Sequence, residues 1–138
     1  MTQDSFRGRL ILVVDDEVRM VRFIRLNLEH DGFQVISAYN GREALEQVRS
    51  QLPNLILLDV MMPDLDGFEV LAEIKGDPEL RRIPVVVLTT SQQEEDIVRS
   101  YELGCNSFIS KPVDLSGFEI CVRELGAYWF DLVSIPSN

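Results

Sequence analysis

Five short apolar runs punctuate the chain, at Leu10–Val14, Phe33–Ser37, Leu55–Leu58, Ile83–Leu88 and Ser107–Ile109. Most are continuous rather than alternating, the pattern of strands covered on both faces, as in a parallel sheet. Between them, apolar residues recur at three- and four-residue spacing. Glu17–His30 carries Met20, Val21, Ile24 and Leu28; Gly41–Ser50 carries Ala44, Leu45 and Val48; Asp66–Lys75 carries Val70, Leu71 and Ile74. Gln92–Leu103 carries Ile97, Val98 and Tyr101, with Gly104 placed to close it, and Leu115–Phe130 carries Phe118, Cys121, Val122, Leu125 and Trp129. Such stripes predict amphipathic helices, and a glycine just past the last periodic residue is a usual helix end. The order is βαβαβαβαβα, which predicts a doubly wound α/β sandwich with right-handed crossovers. Periodicity alone leaves the strand order open.

The chain has 138 residues, and at about 100–200 residues per domain this predicts a single domain over 1–138. No repeat, low-complexity tract or Gly/Ser linker divides it. Thirteen Lys and Arg stand against 23 Asp and Glu, a net charge of −10. That charge repels a phosphate backbone and speaks against nonspecific nucleic-acid binding; it favours divalent cations over anionic membranes. Cys105 and Cys121 form neither a metal-ligand pattern nor a disulfide framework. The N-terminus is polar and the first apolar run spans only Leu10–Val14, too short for a signal-peptide core or a membrane span. These features lead to the expectation of a soluble, cytoplasmic protein.

In an open α/β sheet, ligands gather beyond the carboxyl ends of the strands. The first run exits into Asp15-Asp16-Glu17, the third into Asp59, the fourth into Thr89-Thr90-Ser91 and the fifth into Lys111-Pro112. Carboxylates held close together repel, and a divalent cation reverses that preference. Mg²⁺ takes octahedral oxygen ligands, which Asp16 and Asp59 could supply directly, Asp15 through water, and a backbone carbonyl just past Asp59 in addition. A free Asp59 oxygen could then attack a phosphoryl group to form an aspartyl phosphate. Lys111 would neutralise one oxygen of the product and the Thr89 hydroxyl would donate to another. A plainer alternative makes Asp15 and Asp16 N-caps of the first helix, worth about 0.5–2 kcal/mol, with Thr89-Thr90-Ser91 capping the fourth. It accounts less well for an acid directly after Leu55-Ile56-Leu57-Leu58, because an uncompensated buried charge is costly.

These residues resemble those of the receiver domains of bacterial two-component response regulators. The matching pieces are Val14-Asp15-Asp16-Glu17, the stretch from Leu58 through Asp59, Met61, Met62, Pro63 and Asp64 to Gly67, Val87-Leu88-Thr89, and Lys111-Pro112. The spacing also matches, 30 residues from Asp59 to Thr89 and 22 from Thr89 to Lys111. The resemblance covers residues 8–130, leaving 131–138 as an apolar tail. It implies a flavodoxin-like (βα)5 three-layer sandwich with a parallel sheet of order 2-1-3-4-5. It further implies Mg²⁺-dependent phosphorylation of Asp59 by a histidine kinase and slow self-catalysed dephosphorylation, a phosphoacceptor rather than an enzyme. By the same resemblance Asp16, Asp59 and the Met61 carbonyl hold the metal with Asp15 assisting, Thr89 and Lys111 read the phosphoryl group, and Phe108 is the aromatic switch. The Lys111–Pro112 bond is expected to be cis.

Within that family, residues 10–75 resemble receivers of DNA-binding regulators. From Ile83 onward, Val87-Leu88-Thr89-Thr90-Ser91, Tyr101-Glu102-Leu103-Gly104 and the Trp129 segment resemble stand-alone regulators paired with phytochrome-type kinases. A natural mosaic and an engineered joining of two receivers both fit this pattern. The apolar tail favours a stand-alone regulator over a truncated one. Ile120, Ala127, Phe130, Leu132, Val133 and Ile135 form a second apolar set, consistent with a homodimer through the fourth and fifth helices, the fifth strand and the tail; folding of the tail onto its own helix is the alternative. Arg19, Arg22 and Arg25 on the first helix suit a kinase docking face or a solvated face near Glu29, and Phe23 and Leu26 suit packing or docking. His30, near a helix end, suits an offset to the helix dipole rather than proton transfer. The competing functional class is a haloacid-dehalogenase-like Mg²⁺-dependent phosphatase. It wants a second Asp two residues after the nucleophile, where this chain has Met61, and a cap insertion that is absent.

Overall fold

The computed structural model of the chain describes residues 9–60, 67–89, 102–104 and 107–110, with 88–89 and 107–110 described as backbone. Its strands are β1 (Leu10–Val14), β2 (Gln34–Ala38), β3 (Leu55–Leu58), β4 (Val85–Thr89) and β5 (Ser107–Ser110), and its helices α1 (Val18–His30), α2 (Gly41–Gln51) and α3 (Gly67–Gly76). All strand pairs are parallel, in the order β2-β1-β3-β4-β5. This is the strand order expected from the resemblance. The helices expected over 92–103 and 115–130, and the tail, lie outside the described residues apart from the end of the first, where Gly104 has the positive φ of 97° of a helix-closing glycine.

Side chains alternate across a strand, so β1 divides its residues between two cores. Leu12 and Val14 join Ile56, Leu58, Val85 and Val87 beneath Ala44 and Val48 of α2 and Phe68, Leu71 and Ile74 of α3. Ile11 and Val13 join Leu55, Leu57 and Val86 beneath Val21, Ile24 and Leu28 of α1, with Phe33 and Val35. Both faces of the sheet are covered, which is why the strands read as unbroken apolar runs.

Element boundaries move by a residue or two, and two strand starts do so for a clear local reason. The second strand begins at Gln34 rather than Phe33 because Phe33 completes the end of α1. Its N–H donates to the Leu28 carbonyl at 3.1 Å while the Gly32 N–H donates to Glu29 at 3.1 Å, a pair of bonds that requires the left-handed φ of 97° at Gly32. The fourth strand begins at Val85 rather than Ile83, since the Ile83 N–H is taken by the Leu80 carbonyl at 3.0 Å and Pro84 has no N–H to give. The first helix begins one residue late, at Val18. The second is capped reciprocally: Asn40 Oδ1 accepts the Glu43 N–H at 2.9 Å and Glu43 Oε1 accepts the Tyr39 N–H at 2.9 Å.

Candidate functional site

Register brings the acids together. Val14 of β1 is level with Leu58 of β3, so Asp15 and Asp59 leave neighbouring strands at the same height. Each is anchored by its backbone: the Asp15 N–H donates to the Ala38 carbonyl at 3.1 Å and the Asp59 N–H to the Val14 carbonyl at 2.9 Å. Both are buried, at 1% and 3% exposure, and are the buried polar or charged residues among those described. Asp16 is exposed, and one carboxylate oxygen from each of Asp15, Asp16 and Asp59 lies within 4.8 Å of the others.

The capping alternative for Asp15 and Asp16 is corrected by this geometry. The N-cap of α1 is Glu17, whose side chain makes no capping bond. Asp15 Oδ1 accepts the Glu17 N–H at 3.0 Å, a local turn that orients the Asp15 carboxylate instead of closing the helix. Asp16 takes neither role. Three oxygen donors in so small a space, two on buried residues, suit a hard divalent cation, and crowding of like charges without one is unfavourable. The donor set therefore fits the metal implied by the sequence.

Thr89 is the last residue of β4, its backbone level with Ser110 of β5. With Leu58 opposite Val87, continuing the register sets Asp59 level with Leu88 and Thr89 one step beyond. Phe108 lies in β5, opposite Val87. The strand ends that carry Asp15, Asp59 and Thr89 thus share one rim. Met61, Lys111 and the Lys111–Pro112 bond lie outside the described residues.

One contact at this rim was not assigned a role from the sequence. The Gly67 N–H donates to the Val60 carbonyl at 3.3 Å, seating the start of α3 on the residue after Asp59. A glycine at the first position of an apolar helical stripe, where a better helix former would be favoured, was the available signal.

Among the described residues no helix is long and apolar enough to cross a membrane. The model of the response regulator receiver domain matches residues 11–123. The response regulator Rcp1 of Synechocystis sp. is 38% identical, covering 99% of this chain and 99% of its own length. The crystal structure of the phosphorylated cyanobacterial phytochrome response regulator RcpA superposes with a TM-score of 0.83 at 40% identity, over 88% of this chain and 94% of that one. The Mn²⁺-bound form of Rcp1 superposes with a TM-score of 0.82 at 38% identity, over 91% and 97%. None of these matches supports the phosphatase alternative. A parallel sheet that ends in clustered acids is thus found in a chain similar to response regulators over almost its whole length, and the chain belongs to the response regulator receiver domains, which are phosphorylated on an aspartate in two-component signalling.

Proposed function

We propose that Asp59 is the phosphoacceptor and that the chain relays a phosphoryl group from a sensor histidine kinase. An Asp59 oxygen attacks the phosphorus of a phosphohistidine, the P–N bond breaks, and the histidine nitrogen leaves with the electron pair. The observation that carries this reading is the buried Asp59 at the end of the central strand β3, its carboxylate within 4.8 Å of two further acids. Asp15, Asp16, Asp59 and the Met61 carbonyl would hold Mg²⁺, which supplies positive charge to the transferring oxygens. Thr89 and Lys111 would bind the remaining phosphoryl oxygens, and Phe108 would carry the switch. Water attack on the product gives slow self-catalysed loss of phosphate. Incubation with a small phosphodonor and Mg²⁺ should add one phosphoryl group, and Asp59→Asn should abolish it. Phosphate retained by that variant would refute the assignment.

The kinase docks, in this reading, on the outer face of α1. Val18 and Leu26 are 62% and 60% exposed, and with Arg22 between them they form one i, i+4, i+8 stripe next to the exposed Arg19. Leu26 therefore belongs to docking, whereas Phe23 packs against the core. The likeness to RcpA supports a phytochrome-type kinase as the source of phosphate. We assign residues 8–130 to a single cytoplasmic receiver domain and 131–138 to its tail, with a homodimer through 92–103, 115–130, β5 and the tail. A sedimentation run giving a monomer both with and without phosphate would exclude the dimer.

A further inference from the structure

Gly67 is buried where α3 meets the peptide that carries Asp59. A Cβ at this position would stand at clashing distance from the Val60 Cα and the Asp59 carbonyl oxygen, and 3.0 Å from the Val60 carbonyl carbon. All three are backbone atoms, so no side-chain rotation can relieve the overlap. On its other side the same peptide is tied to β1, through the Asp59 N–H and the Val14 carbonyl at 2.9 Å. The Asp59–Val60 segment is held between a strand and a helix start.

We propose that Gly67 is a positioning residue for the acidic site: its missing side chain lets the first turn of α3 press on the Asp59–Val60 peptide, fixing the Asp59 carboxylate against Asp15 and Asp16. A methyl group must displace either α3 or this peptide. The helix resists, because Phe68, Val70, Leu71 and Ile74 are all buried beneath it. The peptide lies just past the last residue of β3, beyond the paired part of the strand, so the displacement falls on it and works against the Asp59–Val14 hydrogen bond. Its displacement moves Asp59 relative to Asp15 and Asp16, whose positions depend on β1. Gly76, at the other end of α3, provides the contrast, since a Cβ there meets nothing within 4 Å.

This inference rests on the reading of the acids as a metal-holding phosphoacceptor site, so the test separates the two. Free Mn²⁺ is titrated by electron paramagnetic resonance into the full chain, into Gly67→Ala, Gly76→Ala and Ile74→Val, at a temperature where circular dichroism shows each folded. Supporting groups around a metal site typically change affinity by about 10–100-fold, and Gly67→Ala is expected to weaken Mn²⁺ binding by about tenfold or more. Gly76→Ala and the core variant Ile74→Val should bind as the parent does. Parent-like binding by folded Gly67→Ala would overturn the proposal. No Mn²⁺ binding by the parent would overturn the metal-site reading, and the proposal with it. Where Gly67→Ala does not fold, the parent itself decides, through its amide resonances on addition of Mg²⁺ alone. The Gly67 amide should shift along with that of Asp59 and exchange its hydrogen more slowly; a Gly67 amide indifferent to the metal would overturn the proposal.

Discussion

At the rim where the strands begin, Asn54 Oδ1 accepts the Leu10 N–H at 2.8 Å, and Lys75 Nζ donates to the Arg81 carbonyl at 3.1 Å and the Ile83 carbonyl at 2.8 Å. Polar side chains there serve the protein's own backbone, closing the loops that lead into β1, β3 and β4. At the rim where β1 and β3 end, carboxylate oxygens of Asp15, Asp16 and Asp59 crowd within 4.8 Å. The first arrangement lowers the energy of the fold. The second opposes like charges, which a stability argument alone would remove. Among the described residues the contrast supports the proposed placement of function at the carboxyl-end rim, with polar side chains at the other rim holding the fold.

If the two rims are separate, a change at one should fall mainly on metal affinity and a change at the other mainly on stability. Removing a carboxylate ligand should cost at least as much as losing a supporting group, about 10–100-fold in affinity. Asp16→Asn is therefore expected to weaken Mn²⁺ or Mg²⁺ binding by about tenfold or more, measured by calorimetric titration. Affinity unchanged in this variant would remove Asp16 from the site.

Lys75→Met is the reciprocal test. It keeps an apolar stem beside Gly104, against which the Lys75 chain packs, but withdraws the donor from two carbonyls. Hydrogen bonds from charged groups contribute about 1.5–3 kcal/mol, so urea unfolding should show a loss of that order. Metal affinity should stay the same, since the change lies at the opposite rim. A fall in affinity comparable to that of Asp16→Asn would show that the two rims are not separable in this way.

How much of this was legible in the sequence follows from the range of each interaction. Asp15, Asp16 and Asp59 were readable because each follows a continuous apolar run, and strand exits on a parallel sheet share one rim. The strand interiors were readable for the same reason, being covered on both faces. Boundaries were not: Phe33 and Ile83 look like strand residues, and only the bonds to Leu28 and Leu80 assign them to turns. The Lys75 clamp joins a side chain to carbonyls of a separate turn, for which the chain carries no periodic signal. Gly67 is visible within its motif, yet the overlap that a side chain there would make with Val60 arises only in the folded chain. On α1 the sequence leaves Arg25 open between a docking cluster and a solvated face near Glu29, and the structure pairs it with Glu29 at 3.3 Å and Ser37 Oγ at 3.4 Å, so the proposed docking face is drawn from Arg19 and Arg22.

A smaller effect probes the strain at the acidic rim itself. Two unit charges about 4 Å apart interact by about 1 kcal/mol in a water-like medium, and Asp16 is exposed. Metal-free Asp16→Asn should therefore be more stable than the parent by about 1 kcal/mol at low ionic strength, with less difference in high salt. Metal at 100 times the parent's dissociation constant stabilises the parent by about 2.7 kcal/mol and a variant of tenfold weaker affinity by about 1.4 kcal/mol, so saturating metal should cancel the variant's advantage and narrowly reverse the order. Thermal unfolding with and without Mg²⁺ checks both signs. A variant less stable than the parent in the absence of metal would show that the acids are not in repulsive balance.

The smallest expected effect concerns the α1 face. Arg25 and Glu29 are 45% and 43% exposed, and an exposed i, i+4 ion pair contributes about 0.3–0.5 kcal/mol. With the basic residue N-terminal to the acidic one, its order is the less favourable for the helix dipole. Arg25→Ala should therefore change unfolding stability by less than about 0.5 kcal/mol. Arg22→Glu, one turn earlier on the exposed stripe, should be equally mild for stability, since Arg22 lies outside both cores. Its effect should emerge only with a protein donor: phosphotransfer from a histidine kinase slows, while labelling by a small phosphodonor proceeds at the parental rate. Equal slowing with both donors would mean that the substitution disturbs the acidic rim, and the division between an outer docking face and an inner chemical site would have to be redrawn.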